Sequence, residues 1–329
     1  MFAPSSRAQT ALGPITVGAG LRTSYVHTDG DVTATDKFPL DSIRLYVNGP
    51  VTSKIKFMFN TEYDSSTNHV GILDAVARIE LHPKFNIWAG RVLPPSDRAN
   101  LAGPYYNNHW SVYQDGIQNG HPFVFQGRDN GVVYWGDFGK KVKISAGAFD
   151  GKSATGKDDV IGAARVQIDF WDSEAGYYLN STYYGEKNLL AIAGATQVQD
   201  GNTATTVDFL LEKKLSNLGV LTIEGEYANY HKLGGYYSNY AKSQGSYGLV
   251  SYILPKAMGP GKVQLLGKYA KADFTQGTAP SFNQKTTEVN VNYLIKEFNA
   301  RVMTFYKNTE FTRGRPDFWQ IGIGFQIQM

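Results

Sequence analysis

Residues 151 to 158 read GKSATGKD, the G-x-x-x-x-G-K spacing of a loop that cradles phosphate on backbone amides. Two things spoil that chemistry. Asp158 stands where a Ser or Thr hydroxyl should meet magnesium, and the flanking residues are patterned as strands, with no helix to aim its amides. The segment is therefore read as a polar loop. The six histidines, His27, His69, His82, His109, His121 and His231, show no H-E-x-x-H or other tight metal-ligand spacing. A G-x-S-x-G nucleophile elbow is absent. Spacing leaves open a hydrolytic triad assembled from separate strands, for which His109 and His121 would be the residues to watch. The chain has no cysteine, so disulfides and Cys-ligated metal or haem are excluded. The expectation is a protein without cofactor, metal or covalent chemistry, not an enzyme.

Charge is the remaining resource. Lys and Arg total 32 against 29 Asp and Glu, and the resulting +3 is dispersed, which argues against nucleic acid as a partner. No apolar run approaches the ~20 residues of a membrane helix. The first residues, MFAPSSRAQTALG, lack the apolar stretch of a signal peptide. If the protein is exported, this sequence is expected to be the mature form with its signal peptide absent.

The elements that must carry these charges are strands. Stretches such as PITVGAGLRTSYV, SKIKFMFNTEY, KVKISAGAF, LLAIAGATQV, KVQLLGKYA and the closing FWQIGIGFQIQM alternate apolar and polar residues with period two. Such spans recur along the whole chain, at about ten residues each, which is the pattern of a transmembrane β-barrel with one face to lipid and the other to a polar lumen. A soluble β-sandwich or solenoid is the alternative. Charges that run far along the polar faces weigh against it. So do short and long connections that alternate, and tyrosines gathered in YYLNSTYYG and GEYANYH, which suit an interfacial girdle. The rhythm of connections holds only if residues 171 to 188, WDSEAGYYLNSTYYGEKN, are an excursion on the turn (periplasmic) side. The fold expected is then one all-β domain over 1 to 329, a transmembrane antiparallel barrel of about sixteen strands.

With apolar positions outward, the lumen receives Arg22, Arg44, Lys54, Lys56, Arg78, Lys143, Arg165, Lys268, Arg301 and Lys307. It also receives Glu62, Asp74, Glu80, Asp169, Asp208, Glu212, Glu224, Glu226 and Glu288. Most of the bases come from the first eight strands and five of the acids from the second eight, so a transverse field is expected, with weak ionic selectivity. Each inward charge has a plainer reading, solvated or paired across neighbouring strands.

Residues 93 to 128 break the rhythm. A loop this long is usually functional or disordered, and Tyr105, Tyr106, His109, Trp110, Tyr113, Phe123 and Phe125 argue for order. It follows the fifth strand and by parity starts on the extracellular side, where a folded loop can bend inward and narrow the lumen. Arg98 and Arg128 flank it, and Asp97, Asp115 and Asp129 are candidates to neutralise them.

In WAGRVLPPSDR, in GRDNGVVYWGDF with ISAGAFDG, and in FWDSEAGYY with STYYGEKN, the chain resembles the phosphate-selective porins O and P of Gram-negative outer membranes. The resemblance implies a sixteen-stranded barrel in outer-membrane lipid, often a homotrimer, with an inward-folding third loop. It also implies passive diffusion of small hydrophilic solutes, frequently anions. The arginine and lysine ladder of a phosphate channel is not clearly present, so phosphate specificity is not carried over. A phosphate- or carboxylate-selective channel and a plugged barrel serving as scaffold or enzyme remain alternatives. The family usually ends on an aromatic residue, whereas this chain ends on Met329.

Overall fold

The computed structural model describes residues 14–65, 68–112, 115–117, 127–151, 159–233 and 240–329. Most of GKSATGKD, together with Tyr113, His121, Phe123 and Phe125, lies outside the described residues.

Strands dominate. The first group is β1 (Thr16–Gly30), β2 (Thr35–Lys37), β3 (Leu40–Pro50), β4 (Ile55–Asp64), β5 (His69–His82) and β6 (Phe85–Val92). After the long loop come β7 (Asp129–Phe138), β8 (Val142–Phe149) and β9 (Ile161–Asp169). The rest are β10 (Leu189–Gln199), β11 (Asn202–Lys214), β12 (Val220–His231), β13 (Tyr240–Ile253), β14 (Lys262–Gly277), β15 (Phe282–Lys296), β16 (Ala300–Phe311) and β17 (Phe318–Gln328). Each strand pairs antiparallel with its neighbours. β2 and β3 share the edge of β1, so the short β2 is an extra piece on a closed sixteen-stranded barrel. Residues 171 to 188 form no strand, and among the described residues the long loop contributes one short helix, α1 (Arg98–Ala102).

Closure is made by the terminal alternation. β17 pairs with β1 from Gly20↔Gln328 to Gly30↔Phe318, leaving no free edge. Ile321, Ile323, Phe325 and Ile327 point out and are exposed, while Gln326 and Gln328 point in and are buried. In water each such outward side chain would forgo roughly 1.5–3 kcal/mol of burial, which lipid supplies instead. The same outward row continues round the wall in Val166 and Ile168, Val207 and Phe209, and Val289 and Val291.

The apolar core sits inside the barrel. One cluster joins Met58, Val76, Trp88, Val133, Trp135 and Phe149 of the wall to Leu93 and Leu101 of the long loop and to Tyr177 and Leu179 of the 171–188 segment. A second joins Ala99, Val112 and Ile117 of the loop to Tyr230, Tyr247, Leu249 and Leu266. These strands are apolar on both faces because one face meets lipid and the other meets inserted chain.

This placement corrects one expectation. Tyr177, Tyr183 and Tyr184 form no interfacial girdle, because the segment that carries them enters the lumen. The Tyr177 hydroxyl donates to Leu93 O at 2.7 Å and the Tyr183 hydroxyl to Glu174 at 2.8 Å, while Tyr184 stacks edge-on with Phe298. Tyr230 likewise points inward and is buried, whereas Tyr227 faces out.

Candidate functional site: a lumen crossed by two segments

The long loop spans the lumen from the seam to the opposite wall. At the seam, Tyr105 lies over Gly20 of β1 and Trp110 over Gly324 of β17. A Cβ at Gly20 would meet the Tyr105 ring at 2.8 Å, and one at Gly324 would meet the Trp110 ring at 2.6 Å. Glycine is required at these inward positions for ring docking, not for backbone freedom. Arg22 fixes Trp110 twice, donating to its carbonyl at 2.9 Å and lying 4.0 Å from its ring centroid. Gly324→Val should displace the ring at a cost of about 1–3 kcal/mol. Tryptophan emission shifted to the red checks it, since Trp110 would then meet water.

Across the lumen, near the start of the loop, lies α1. Asp97 caps it, accepting from Asn100 N at 2.8 Å. The next two amides, which a helix start leaves unpaired, donate to wall carboxylates: Arg98 N to Asp208 at 3.2 Å and Ala99 N to Glu226 at 3.1 Å. Further along, Asp115 meets Lys268 at 3.2 Å and accepts from Gln284 and Thr286.

The 171–188 segment enters from the other end and meets the loop. Arg98 grips Glu174 through two bonds of 2.9 and 2.6 Å, and neither side chain has any solvent exposure. Two backbone bonds tie the segments directly, Leu179 N to Leu101 O at 3.3 Å and Ser181 N to Tyr106 O at 2.9 Å. Glu212 of β11 holds the far end, accepting from Thr182 Oγ1 and from the amides of Tyr183 and Gly185. Burial raises the Glu174 carboxyl, but Arg98 more than offsets this and holds it at about 2.

The sequence candidates divide into three sets. Arg44 pairs with Glu62, Arg128 with Asp74 at 3.3 Å, and Tyr178 of the inserted segment sits in the field of Asp74, Arg128, Arg78 and Arg44. Together with Tyr105, whose ring lies 5.0 Å from the Arg44 guanidinium, they form one charged level of the lumen. A second set, Lys56, Arg78 and Glu80, lies nearer the turn end and keeps water access, Lys56 at 37% side-chain exposure. Arg98 and Arg165 form the third set, anchors that converge on Asp208. Tyr106 packs on Phe298, and Lys143 is buried near the turn end.

Three placements differ from expectation. Lys54 lies in the turn before β4 and is exposed, because the strand starts only at Ile55. Asp97 and Asp115 do not neutralise Arg98 and Arg128: the first caps a helix and the second meets Lys268. Asp129 accepts from Asn130 N, while Arg128 reaches Asp74 instead. The sequence pattern also missed Glu174 as the partner of Arg98. The only local signal was the acids inside the aromatic excursion, Asp172, Glu174 and Glu186.

Bases of the seam side stand opposite acids of β11 and β12, with Arg44 paired to Glu62 and Asp208 to Arg165. β3 and β11 stand eight strands apart in the ring of sixteen, so Arg44 faces Asp208 and Glu212 across the axis. Arg301 and Lys307 of β16 and Lys268 of β14 extend the basic side back to Arg22. His109 is buried among them, and burial followed by Lys268, Arg22, Arg301 and Lys307 pulls its imidazole well below the usual range. It is therefore neutral, beside cations.

The fold is that of Gram-negative outer-membrane porins and channels. OmpT, an outer-membrane protein of Vibrio cholerae, is similar with a TM-score of 0.61 at 12% identity, over 98% of this chain and 99% of that one. Salmonella typhi OmpF gives 0.61 at 13% identity over 95% and 97%. An anion-selective porin from Comamonas acidovorans gives 0.59 at 10% identity over 96% and 99%. No family model and no curated protein matches the chain.

Proposed function

We propose that the protein is an outer-membrane porin of low conductance, passing small hydrophilic solutes and ions with a weak anion preference. The observation that carries this is a closed sixteen-stranded barrel whose inner face carries both signs of charge, among them the pairs Arg44–Glu62 and Arg128–Asp74. Opposed fixed charges orient dipolar solutes without excluding either sign of ion. Lys56 and Arg78 outnumber Glu80 at the water-accessible turn end, and this tilts the balance toward anions. The mechanism is diffusion, without covalent chemistry or cofactor. The turn end is taken as periplasmic and the long loop as the third extracellular loop. A homotrimer in outer-membrane lipid is the proposed assembly, in keeping with the trimer form of V. cholerae OmpT. The closer kinship with porins O and P rests on the sequence motifs alone.

Planar bilayers test the proposal. Purified protein should give steady ohmic steps, and reversal potentials in a potassium chloride gradient should show modest anion preference. A silent barrel overturns the pore, and a strong cation preference overturns the charge assignment. The silent outcome would favour a plugged scaffold, a reading supported by the near-complete burial of Arg98, Glu174, Asp208 and Glu226 between the two inserted segments.

A further inference from the structure

A cavity of ≈ 300 Å³ opens at the turn end, between the β5–β6 turn, the β7–β8 turn and the start of the 171–188 segment. Pro83, Val142 and Ala175 give it apolar wall, and Lys143 lines it from β8. Lys143 is 6% exposed, yet its Nζ has no hydrogen-bond partner among the described residues. A buried ammonium in that condition has nearby carboxylates for its charge but lacks the hydrogen bonds that burial demands.

The surrounding acids are already engaged. Asp169 accepts from Gln167 Nε2 and Glu174 N, both at 2.9 Å, and Asp137 accepts from Gly176 N at 3.2 Å. Glu174 is gripped by Arg98. Lys141 is spent too, donating to the carbonyls of Phe170 and Trp171. One ammonium without a hydrogen-bond partner among the described residues therefore lies beside an apolar-walled space, with Lys84 and Lys140 also lining it.

We propose that this cavity is a binding site for a small organic carboxylate, its head group on the Lys143 ammonium and its short chain on the apolar wall. A single negative charge meets the least repulsion from the carboxylates of Asp137, Asp169 and Glu174, which line the same cavity. A compact oxyanion of higher charge would be repelled more strongly and has no chain to bury against the wall. The site lies apart from the Arg44–Glu62 level and does not depend on whether the barrel conducts.

The test is equilibrium binding of sodium hexanoate to the whole protein in detergent micelles, with folding checked by heat-modifiable electrophoretic mobility. Saturable binding is expected. Lys143→Met should weaken it about tenfold or more, the order of a buried charge-assisted bond, and Lys143→Arg should largely retain it. Ala175→Phe, which fills the cavity from the other side, should abolish binding while leaving the lysine in place. Hexanol, with the chain but no charge, should bind far more weakly. Absence of saturable binding, or undiminished binding to folded Lys143→Met or Ala175→Phe, overturns the site. Displacement of hexanoate by an equal concentration of inorganic phosphate overturns the carboxylate assignment.

Discussion

Arg98→Ala should destabilise the folded barrel by about 3–5 kcal/mol, the cost of removing one partner from a buried ion pair. Its guanidinium bonds both Glu174 oxygens, donates to Asn180 O at 2.9 Å and lies 3.5 Å from Asp208. Alanine leaves the Glu174 carboxylate buried with only Tyr183 and Gln167 as donors. Arg98→Lys should recover part of the loss, since an ammonium restores the charge without the two-pronged geometry. Urea unfolding in micelles measures the energy. Limited chymotrypsin digestion measures the consequence, because Tyr177 and Tyr178 should become cleavable once the segment is no longer held inside. Protection equal to wild type would mean that the ion pair is not what retains it.

The same pair sets a pH dependence. The Glu174 carboxyl is depressed from 4.5 to about 2, so its contribution is fully present above about 4.5 and is lost as pH falls through about 2. Wild type should keep the segment protected at pH 4 and lose that protection only in stronger acid. Glu174→Gln should show no such transition.

The wall and the inward course of the long loop were legible, and the contacts inside the lumen were not. Period-two alternation names the two faces of a strand, so the inward places of Arg22, Arg44, Lys143, Arg165, Asp208 and Glu226 followed from spacing alone, as did the pairing of β1 with β17. Alternation says nothing about what a face meets. Tyr177 and Tyr183 have the composition of an interfacial girdle, and only tertiary contact to Leu93 and Glu174 separates that role from a place in the lumen. Arg98 and Glu174 are 76 residues apart, with no shared period to link them. One faint signal was available. Gly20 and Gly324 occupy inward positions in the two seam strands, where a missing side chain leaves space for something from elsewhere.

Excising residues 100 to 120 should raise single-channel conductance several-fold and shift selectivity toward anions. The larger current follows because the loop fills the lumen along the seam side, from Gly20 and Gly324 to Lys268 of β14 and Gln284 of β15. The shift in selectivity has a definite sign. The deletion spares Asp97 and Arg98, so Asp208 and Glu174 keep their partner. It removes Trp110 from Arg22, the Tyr105 and Asn107 carbonyls from Arg301, and Asp115 from Lys268. Bases on the seam side are thereby uncovered while the acids opposite stay neutralised, and a pore lined by more unpaired positive charge favours anions. The rise should stop short of a fully open barrel, because residues 171 to 188 remain anchored on Glu212 and Arg98. Adding Arg98→Ala to the deletion should release that anchor and widen the current again. An unchanged conductance in the deletion would place the conducting path away from the loop. A gain in current with a shift toward cations would mean that the acidic wall, not the basic one, had been uncovered.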